Sequence, residues 1–406
     1  MSPEEVSWPR EDHTKAKHEL LLAFFNKWVS IHSSYFAGQA DGGLVRIYDG
    51  FAGPGIYAGG EPGSPLIIMR ALCTNANLFR AWARVRYDLH FVEKNRARAA
   101  MLQGKLEDFE QAMRERGPGW SENVKWSVTC GRYEENVPQP VREPSALFLF
   151  LDPFGYSHAP MELTQDLVQQ PKSDTLIFLP LSFVNRFKDR EGQEVALDRF
   201  FGAPKWRQIP NGHDRPRRLL ALFEAQLEEA GLDYVGAFKL RPDASNEYFI
   251  VGGTSHPKGW ASIKEGFWAV DPVNGTEYQA SKPPPPGQQR LAFEDPPAPG
   301  PNTAPLLEAL KVEYGERLFT VEDAMRLTER SRFLDTHLKR ATLVPAEASG
   351  VLLVERPPGA RQFKEGKGIT MRFRAPSDMS ANIRSHRGGI AIPGAKGVSD
   401  AAEQLN

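Results

Sequence analysis

The sequence predicts an α/β fold, a mostly parallel sheet covered by helices on both sides, followed by a small helix-and-strand unit. Three observations carry this. Short, continuously apolar segments alternate with longer segments of helical periodicity, the pattern of strands buried on both faces. Three of those apolar segments run into an acid, at Asp49, Glu93 and Asp152. A proline-dense stretch, 281–303, then sets the C-terminal part of the chain apart.

The elements follow in order. A helix is expected at about 13–36, with Leu21, Phe24, Phe25, Trp28 and Ile31 at helical spacing. LVRIYDG (44–50) reads as the first strand and runs into the Gly/Pro loop FAGPGIYAGGEPGSP. Ser64 suits an N-cap and Pro65 the first position of the next helix. YDLHFVE (87–93) is the second strand, followed by a charged amphipathic helix at about 95–116. VKWSVTC (124–130), ALFLFLD (146–152) and TLIFLPL (175–181) are strands three to five. YVGAFKL (234–240) and EYFIVGG (247–253) are expected to form a final antiparallel pair. In such sheets ligands bind at the carboxyl ends of the strands, where the three acids fall.

Composition narrows the function. The 406 residues carry 50 Lys+Arg against 51 Asp+Glu, a net charge of -1, which excludes coating of nucleic acid by bulk charge and leaves a local basic site open. With 41% hydrophobic residues, 24 Phe and 8 Trp, the chain has the apolar surface for a sizeable core. Cys73 and Cys130 fit neither a disulfide framework nor a zinc site, so a reducing cytoplasm is the expected compartment. His13, His18 and His158 show no metal-ligand spacing, and no metal is expected. The N-terminus is too polar for a signal peptide, and no apolar run is long enough for a bilayer. The expected organisation is a large domain at 12–280, a Pro-rich linker at 281–303, a small domain at 304–375 and a disordered tail at 376–406.

The chemistry is read at the strand ends. Asp49-Gly50-Phe51-Ala52-Gly53-Pro54-Gly55 is either a tight turn or a loop through which the backbone closely approaches a cofactor. It is not a phosphate-binding Walker loop, because no GK[ST] follows. Glu93 is either a solvated strand end or an acid bonded to ribose hydroxyls. Asp152-Pro153-Phe154-Gly155-Tyr156 is either a turn capping the core or a rigid loop presenting a carboxylate and aromatics to an amine-bearing base.

Taken in order, these three sites resemble the cofactor loop, ribose acid and catalytic loop of class I S-adenosylmethionine-dependent methyltransferases. Lys17-His18 and Pro62-Gly63-Ser64-Pro65-Leu66-Ile67 are similar to segments of the large-subunit ribosomal RNA adenine-N6 methyltransferases. HTKAKHELL, DGFAGPGIY, EPGSPL, LDPFGY and GWASIKEGFWAVDPVNGTEYQAS, with the C-terminal unit, resemble the three-Cys-motif partner protein family (TcmP). The resemblance implies a Rossmann-like methyltransferase domain that binds S-adenosylmethionine. Its partner would be a three-Cys-motif protein encoded nearby, itself similar to radical-SAM and phage-type proteins. Lys17 would approach the methionine end of the cofactor, Asp49, Phe51, Gly53 and Gly55 would form its loop, and Glu93 would hold the ribose. Asp152, Pro153 and Phe154 would form the catalytic loop. Amino-methyltransferases usually carry Asp/Asn-Pro-Pro and an aromatic; here Phe154 stands for the second Pro and Gly155 for the aromatic, which displaces the stacking platform.

The C-terminal unit reads as a winged helix-turn-helix. Its expected helices are 306–314, 321–328 and 332–341, and its strands 351–357 and 368–374. Arg332, Lys339 and Arg340 on the third helix, with Arg361, Lys364 and Lys367 on the wing, suit contact with DNA or RNA. The alternative is a protein–protein winged helix whose charges are ordinarily solvated. Trp260, Lys264 and Trp268 recur every four residues and lie along one helix face. They either pack their helix on the sheet or offer a stripe to nucleic acid or a partner. For the whole chain two functions compete: a methyltransferase acting on nucleic acid, at adenine N6, and a non-catalytic nucleic-acid-binding or adaptor subunit.

Overall fold

A strand buried along its whole length, β1 (Gly43–Asp49), lies inside an eight-stranded sheet. The computed structural model describes all residues except 1–5, 76–77, 79–80, 82, 117–119, 154, 156–157, 182–183, 185–191, 244–245, 281–298, 361 and 376–406. The tail at 376–406 and most of the Pro-rich linker are therefore outside the described residues.

The other strands are β2 (Val85–Glu93), β3 (Val124–Cys130), β4 (Ser145–Leu151), β5 (Ser173–Leu179), β6 (Tyr234–Arg241), β7 (Tyr248–Thr254) and β8 (Glu277–Gln279). Their order is β3-β2-β1-β4-β5-β7-β6-β8. The first five run parallel to one another; β7 runs antiparallel to both β5 and β6. β6 and β7 are the expected antiparallel pair, and β7 is the member that joins β5. The strand order reverses between β1 and β4, so a crevice opens there at the carboxyl ends.

Helices cover both faces. On one side lie α1 (Asp12–Ala37), α2 (Ser64–Thr74), α3 (Arg96–Glu115) and α7 (Pro257–Val270). On the other lie α4 (Met161–Val168), α5 (Glu194–Phe201) and α6 (Arg215–Glu229). The apolar stripe of α1 drives Phe24, Phe25 and Trp28 against Phe148 of β4, with ring centroids 4.8, 6.1 and 5.5 Å away. α7 crosses α1 closely at Gly266, where any Cβ would lie 2.9 Å from the Leu20 carbonyl oxygen. A side chain there would push the two helices apart.

The C-terminal unit comprises α8 (Ala304–Tyr314), β9 (Phe319–Thr320), α9 (Val321–Arg330), α10 (337–348), and the strands β10 (Leu352–Glu355) and β11 (Thr370–Phe373). β11 pairs antiparallel with both β9 and β10. Thr320 and Asp323 form a reciprocal capping box on α9. The helix expected at 332–341 is displaced: α10 opens with a π-helical stretch, His337–Leu343, and continues as Val344–Ala348. Two causes are visible. Pro345 has no N–H for the Ala341 carbonyl, which accepts from Thr303 Oγ1 at 2.8 Å instead. The segment 331–333 forms a bend ahead of the helix, its carbonyls taken by α7.

The expected packing on the sheet is met by Trp260, which stacks on Tyr234 of β6 at 6.4 Å, while Lys264 and Trp268 turn to the C-terminal unit. Trp260 Nε1 donates to the Ser331 carbonyl (3.1 Å) and Trp268 Nε1 to that of Arg332 (2.8 Å). Lys264 Nζ, in a residue only 2% exposed, donates to the carbonyls of Thr328 (3.2 Å), Glu329 (3.2 Å) and Phe333 (2.6 Å). One ammonium thus satisfies three carbonyls where α9 ends. Asn302 N also donates to the Val273 carbonyl (2.7 Å), so the end of the linker is pinned beside α7.

Candidate active site

The register of the sheet brings the strand-end acids together. Asp49, the last residue of β1, lies opposite Phe91 of β2 and Phe150 of β4. Glu93 and Asp152 therefore stand two residues beyond it, one on each side of the central strand. The loop after β1 leaves toward β2, its Ala52 N–H donating to the Val92 carbonyl at 2.9 Å.

Two cavities flank this loop, and Phe51 is a wall of both. The first, about 320 Å³, holds Glu93, Arg132, Tyr133 and His158. The second, about 310 Å³, holds Lys17, His18, Gly53, Gly55, Ser64, Asp152 and Pro153. The predicted cofactor residues thus line two adjoining chambers, with one exception.

Asp49 lines neither chamber. It is fully buried below the loop, its Oδ1 accepting from Phe51 N–H (3.1 Å) and its Oδ2 from Ser64 Oγ (2.7 Å). Its place is as a clasp between the loop and the first turn of α2. Ser64 spends its hydroxyl on this clasp and does not cap the helix, whose N-cap is Gly63. Burial pushes the Asp49 carboxyl up to about 7, against the hydrogen bonds from Ser64 and Phe51.

Glu93 is 3% exposed, and its Oε1 accepts from Asn95 N–H (2.8 Å), the N-cap of α3. Gly53 has φ +64°, and a Cβ built there would meet nothing within 4 Å, so the glycine faces open space in a conformation that L-residues avoid. Lys17 leaves α1 toward Asp152, and Nζ and Oδ2 form an ion pair in which the lysine side chain is 9% exposed. The same Nζ lies 4.8 Å from the centroid of the Phe178 ring. Phe154 lies outside the described residues.

Several walls had no signal in the spacing of residues. Trp8 meets Tyr57 edge-on (6.2 Å), and its carbonyl accepts from Ala58 N–H (2.9 Å), so the segment before α1 closes the second chamber. His18 is 6% exposed beside Tyr57, and its Nδ1 is buried without a hydrogen-bond partner. Burial, with Lys17 and Arg10 nearby, pulls its pKa to about 3, so the ring is neutral. Phe178 of β5 stacks on Tyr248 of β7 (5.2 Å), which stacks on His13 of α1 (5.3 Å). Strand pairing decides that these rings meet, and it cannot be read from either segment alone.

The basic residues of the C-terminal unit are less uniformly available. Arg340, Lys364 and Lys367 are exposed, whereas Lys339 pairs with Glu365 (2.9 Å). Arg332 is half-buried over the Phe333 ring (5.0 Å) in the segment held by α7, and Arg361 lies outside the described residues. Among the described residues no group of His, Cys, Asp and Glu could hold a metal ion, and no helix is long and apolar enough to cross a membrane.

No family model matches the chain, and no curated protein matches it. Among solved structures it is similar to the CMeT domain of the citrinin polyketide synthase, at 13% identity and a TM-score of 0.28 over 53% of this chain. It spans about half, 48%, of that structure's length. It is similar to the O-methyltransferase TomG of Streptomyces achromogenes, solved with S-adenosylmethionine, at 15% identity and a TM-score of 0.32 over 59% of this chain and 80% of that one. The human METTL16 N-terminal domain, solved with S-adenosylhomocysteine, matches at 9% identity and a TM-score of 0.26 over 56% and 68%. Structures similar to this chain thus include S-adenosylmethionine-dependent methyltransferases, but at these values no residue role is transferred from them. The mostly parallel sheet, with its crevice where the strand order reverses, itself fits a Rossmann-like methyltransferase fold.

Proposed function

We propose that this chain is an S-adenosylmethionine-dependent methyltransferase that transfers a methyl group to an amine of nucleic acid, adenine N6 being the expected target. One observation carries the reading: two adjoining chambers share Phe51, with a buried acid in one and the Lys17–Asp152 pair in the other. The donor set fits the cofactor. Glu93 would accept from the ribose hydroxyls, and Phe51 would part the nucleoside end from the methionine end. His18, neutral and with its buried Nδ1 unpartnered, is a wall of the second chamber.

When bound, S-adenosylmethionine supplies a methyl group activated on a sulfonium. The protein's part is positioning and electrostatics. Asp152 would accept a hydrogen bond from the acceptor amine, aim its lone pair, and take up the positive charge that develops there. Pro153 stiffens the backbone beside that carboxylate.

The remaining assignments rest on the sequence. Membership of the three-Cys-motif partner protein family, with a three-Cys-motif protein as neighbour, is supported by the ordered motifs from about residue 13 to 374. The winged-helix reading of the C-terminal unit is supported by its helices and three-stranded sheet, and nucleic-acid contact by Arg340, Lys364 and Lys367.

The test is methyl transfer from labelled S-adenosylmethionine to adenine-containing single-stranded RNA and DNA, with and without a three-Cys-motif protein. The wild type is expected to label one of them, and Asp152→Asn to lose about 100-fold or more of that rate. Equal labelling by the two proteins would remove Asp152 from the chemistry.

A further inference from the structure

His13, Tyr248 and Phe178 form a column of stacked rings in the second chamber, with interplanar angles of 21° and 29°. The column is built by α1, β7 and β5. None of its rings comes from the loop after β4, where the sequence comparison placed the aromatic platform. Tyr248 is covered by a ring on each side. Phe178 is covered by Tyr248, and the Lys17 ammonium also lies over its ring, at 4.8 Å. That ammonium makes two contacts at once, an ion pair with Asp152 and a cation–π contact with Phe178.

We propose that Lys17 is a place-holder in the methyl-acceptor subsite: the substrate's amine binds by displacing the Lys17 ammonium from Asp152, and its ring continues the column on Phe178 in the place of that ammonium. This rests on the methyltransferase reading of the site. It gives Lys17 a role other than the expected one at the methionine end of the cofactor. It also supplies the platform that Gly155, standing in the motif's aromatic position, cannot.

The chemistry selects the substrate class. An alkyl ammonium could only repeat what Lys17 already does, and would compete with a group tethered to the site at high effective concentration. An amine on a flat heterocycle gains stacking that Lys17 cannot offer, worth about tenfold in binding per ring. It can also donate an amine hydrogen to Asp152 as Lys17 does. Phe178 is then a specificity-determining residue and Lys17 a positioning residue that clears the site.

The test measures binding of adenosine monophosphate, and separately of n-butylamine, to protein saturated with S-adenosylhomocysteine so that the nucleoside chamber is filled. Lys17→Met is expected to tighten adenosine monophosphate about fivefold or more, because the internal competitor is gone. Phe178→Leu is expected to weaken it about tenfold, while Phe178→Tyr, which keeps the ring, stays within about threefold of wild type. Butylamine, which keeps only the cation–π contact with Phe178, is expected to weaken by no more than about threefold in Phe178→Leu. Thermal melts of each variant separate lost stacking from lost folding, and the tyrosine variant keeps the test valid if the leucine variant unfolds. Unchanged or weaker nucleotide binding in Lys17→Met overturns the displacement, as does loss of S-adenosylhomocysteine binding in that variant. Butylamine tracking Phe178 as the nucleotide does overturns the substrate class. Wild type that fails to bind S-adenosylhomocysteine at all overturns the cofactor reading instead, and the subsite with it.

Discussion

His18 and Gly53 show how single residues commit the second chamber to a ligand. His18 is buried and neutral, its pKa pulled to about 3 from an ordinary value near 6.5. Its folded pKa is depressed, so its contribution is present above about pH 6.5 and is lost as pH falls toward 3. A urea-denaturation series across that window should therefore show the wild type losing stability faster than His18→Gln, by on the order of 3 kcal/mol at the acid end. Parallel curves would mean that His18 is not held neutral. Asp49 titrates in the opposite sense. Its carboxyl is raised from 3.8 to about 7, so its contribution is full below pH 4 and is lost as pH rises through 7. At Gly53 the strain of φ +64° is separable from occupancy of the cavity. Gly53→Ala should cost roughly 1–2 kcal/mol of stability and keep the chamber open, which a melt and a ligand titration on the same sample would check.

At the scale of elements, α7 carries the least expected structure. The four-residue spacing of Trp260, Lys264 and Trp268 is plain in the sequence, but its occupant is not. The carbonyls it serves lie more than sixty residues downstream, past the proline-dense stretch, and backbone acceptors leave no trace in residue type. The start of α10 is hidden for the same reason: nothing in SRFLDTHLKR says that α7 takes the carbonyls of its first three residues. Removing the ammonium strands three carbonyls, so Lys264→Met should destabilise the protein by about 2–4 kcal/mol. Burial lowers the Lys264 pKa from 10.5 to about 8, so wild-type stability should rise with pH between those values and that of Lys264→Met should not. A pH-independent difference between the two proteins would contradict a buried charge at the joint.

Across the whole molecule, what the sequence made legible is what short-range pattern controls. Continuous apolar runs marked β1, β4 and β5, and the acids at the ends of β1, β2 and β4 fell at one edge of the sheet because parallel strands put their carboxyl ends together. What stayed hidden depends on register and on packing between distant segments. Asp49 looks like Glu93 and Asp152 in sequence, yet it stands two residues short of them in the sheet and is sealed below the loop. Phe178 and Tyr248 become one platform only because β7 pairs antiparallel with β5. Trp8 lines the site from a segment whose polarity gives no reason to expect a place there.

The central claim is that the two chambers around Phe51 hold one S-adenosylmethionine molecule. Calorimetric titration of the purified protein, Gly53→Arg and Glu93→Gln with that cofactor tests it most directly. The account predicts one site of micromolar affinity in the wild type, about −8 kcal/mol. It predicts loss of binding in Gly53→Arg, which fills the second chamber, and weakening of about tenfold or more in Glu93→Gln, which removes a charge from the first. Wild type without binding, or binding that neither variant disturbs, would contradict it.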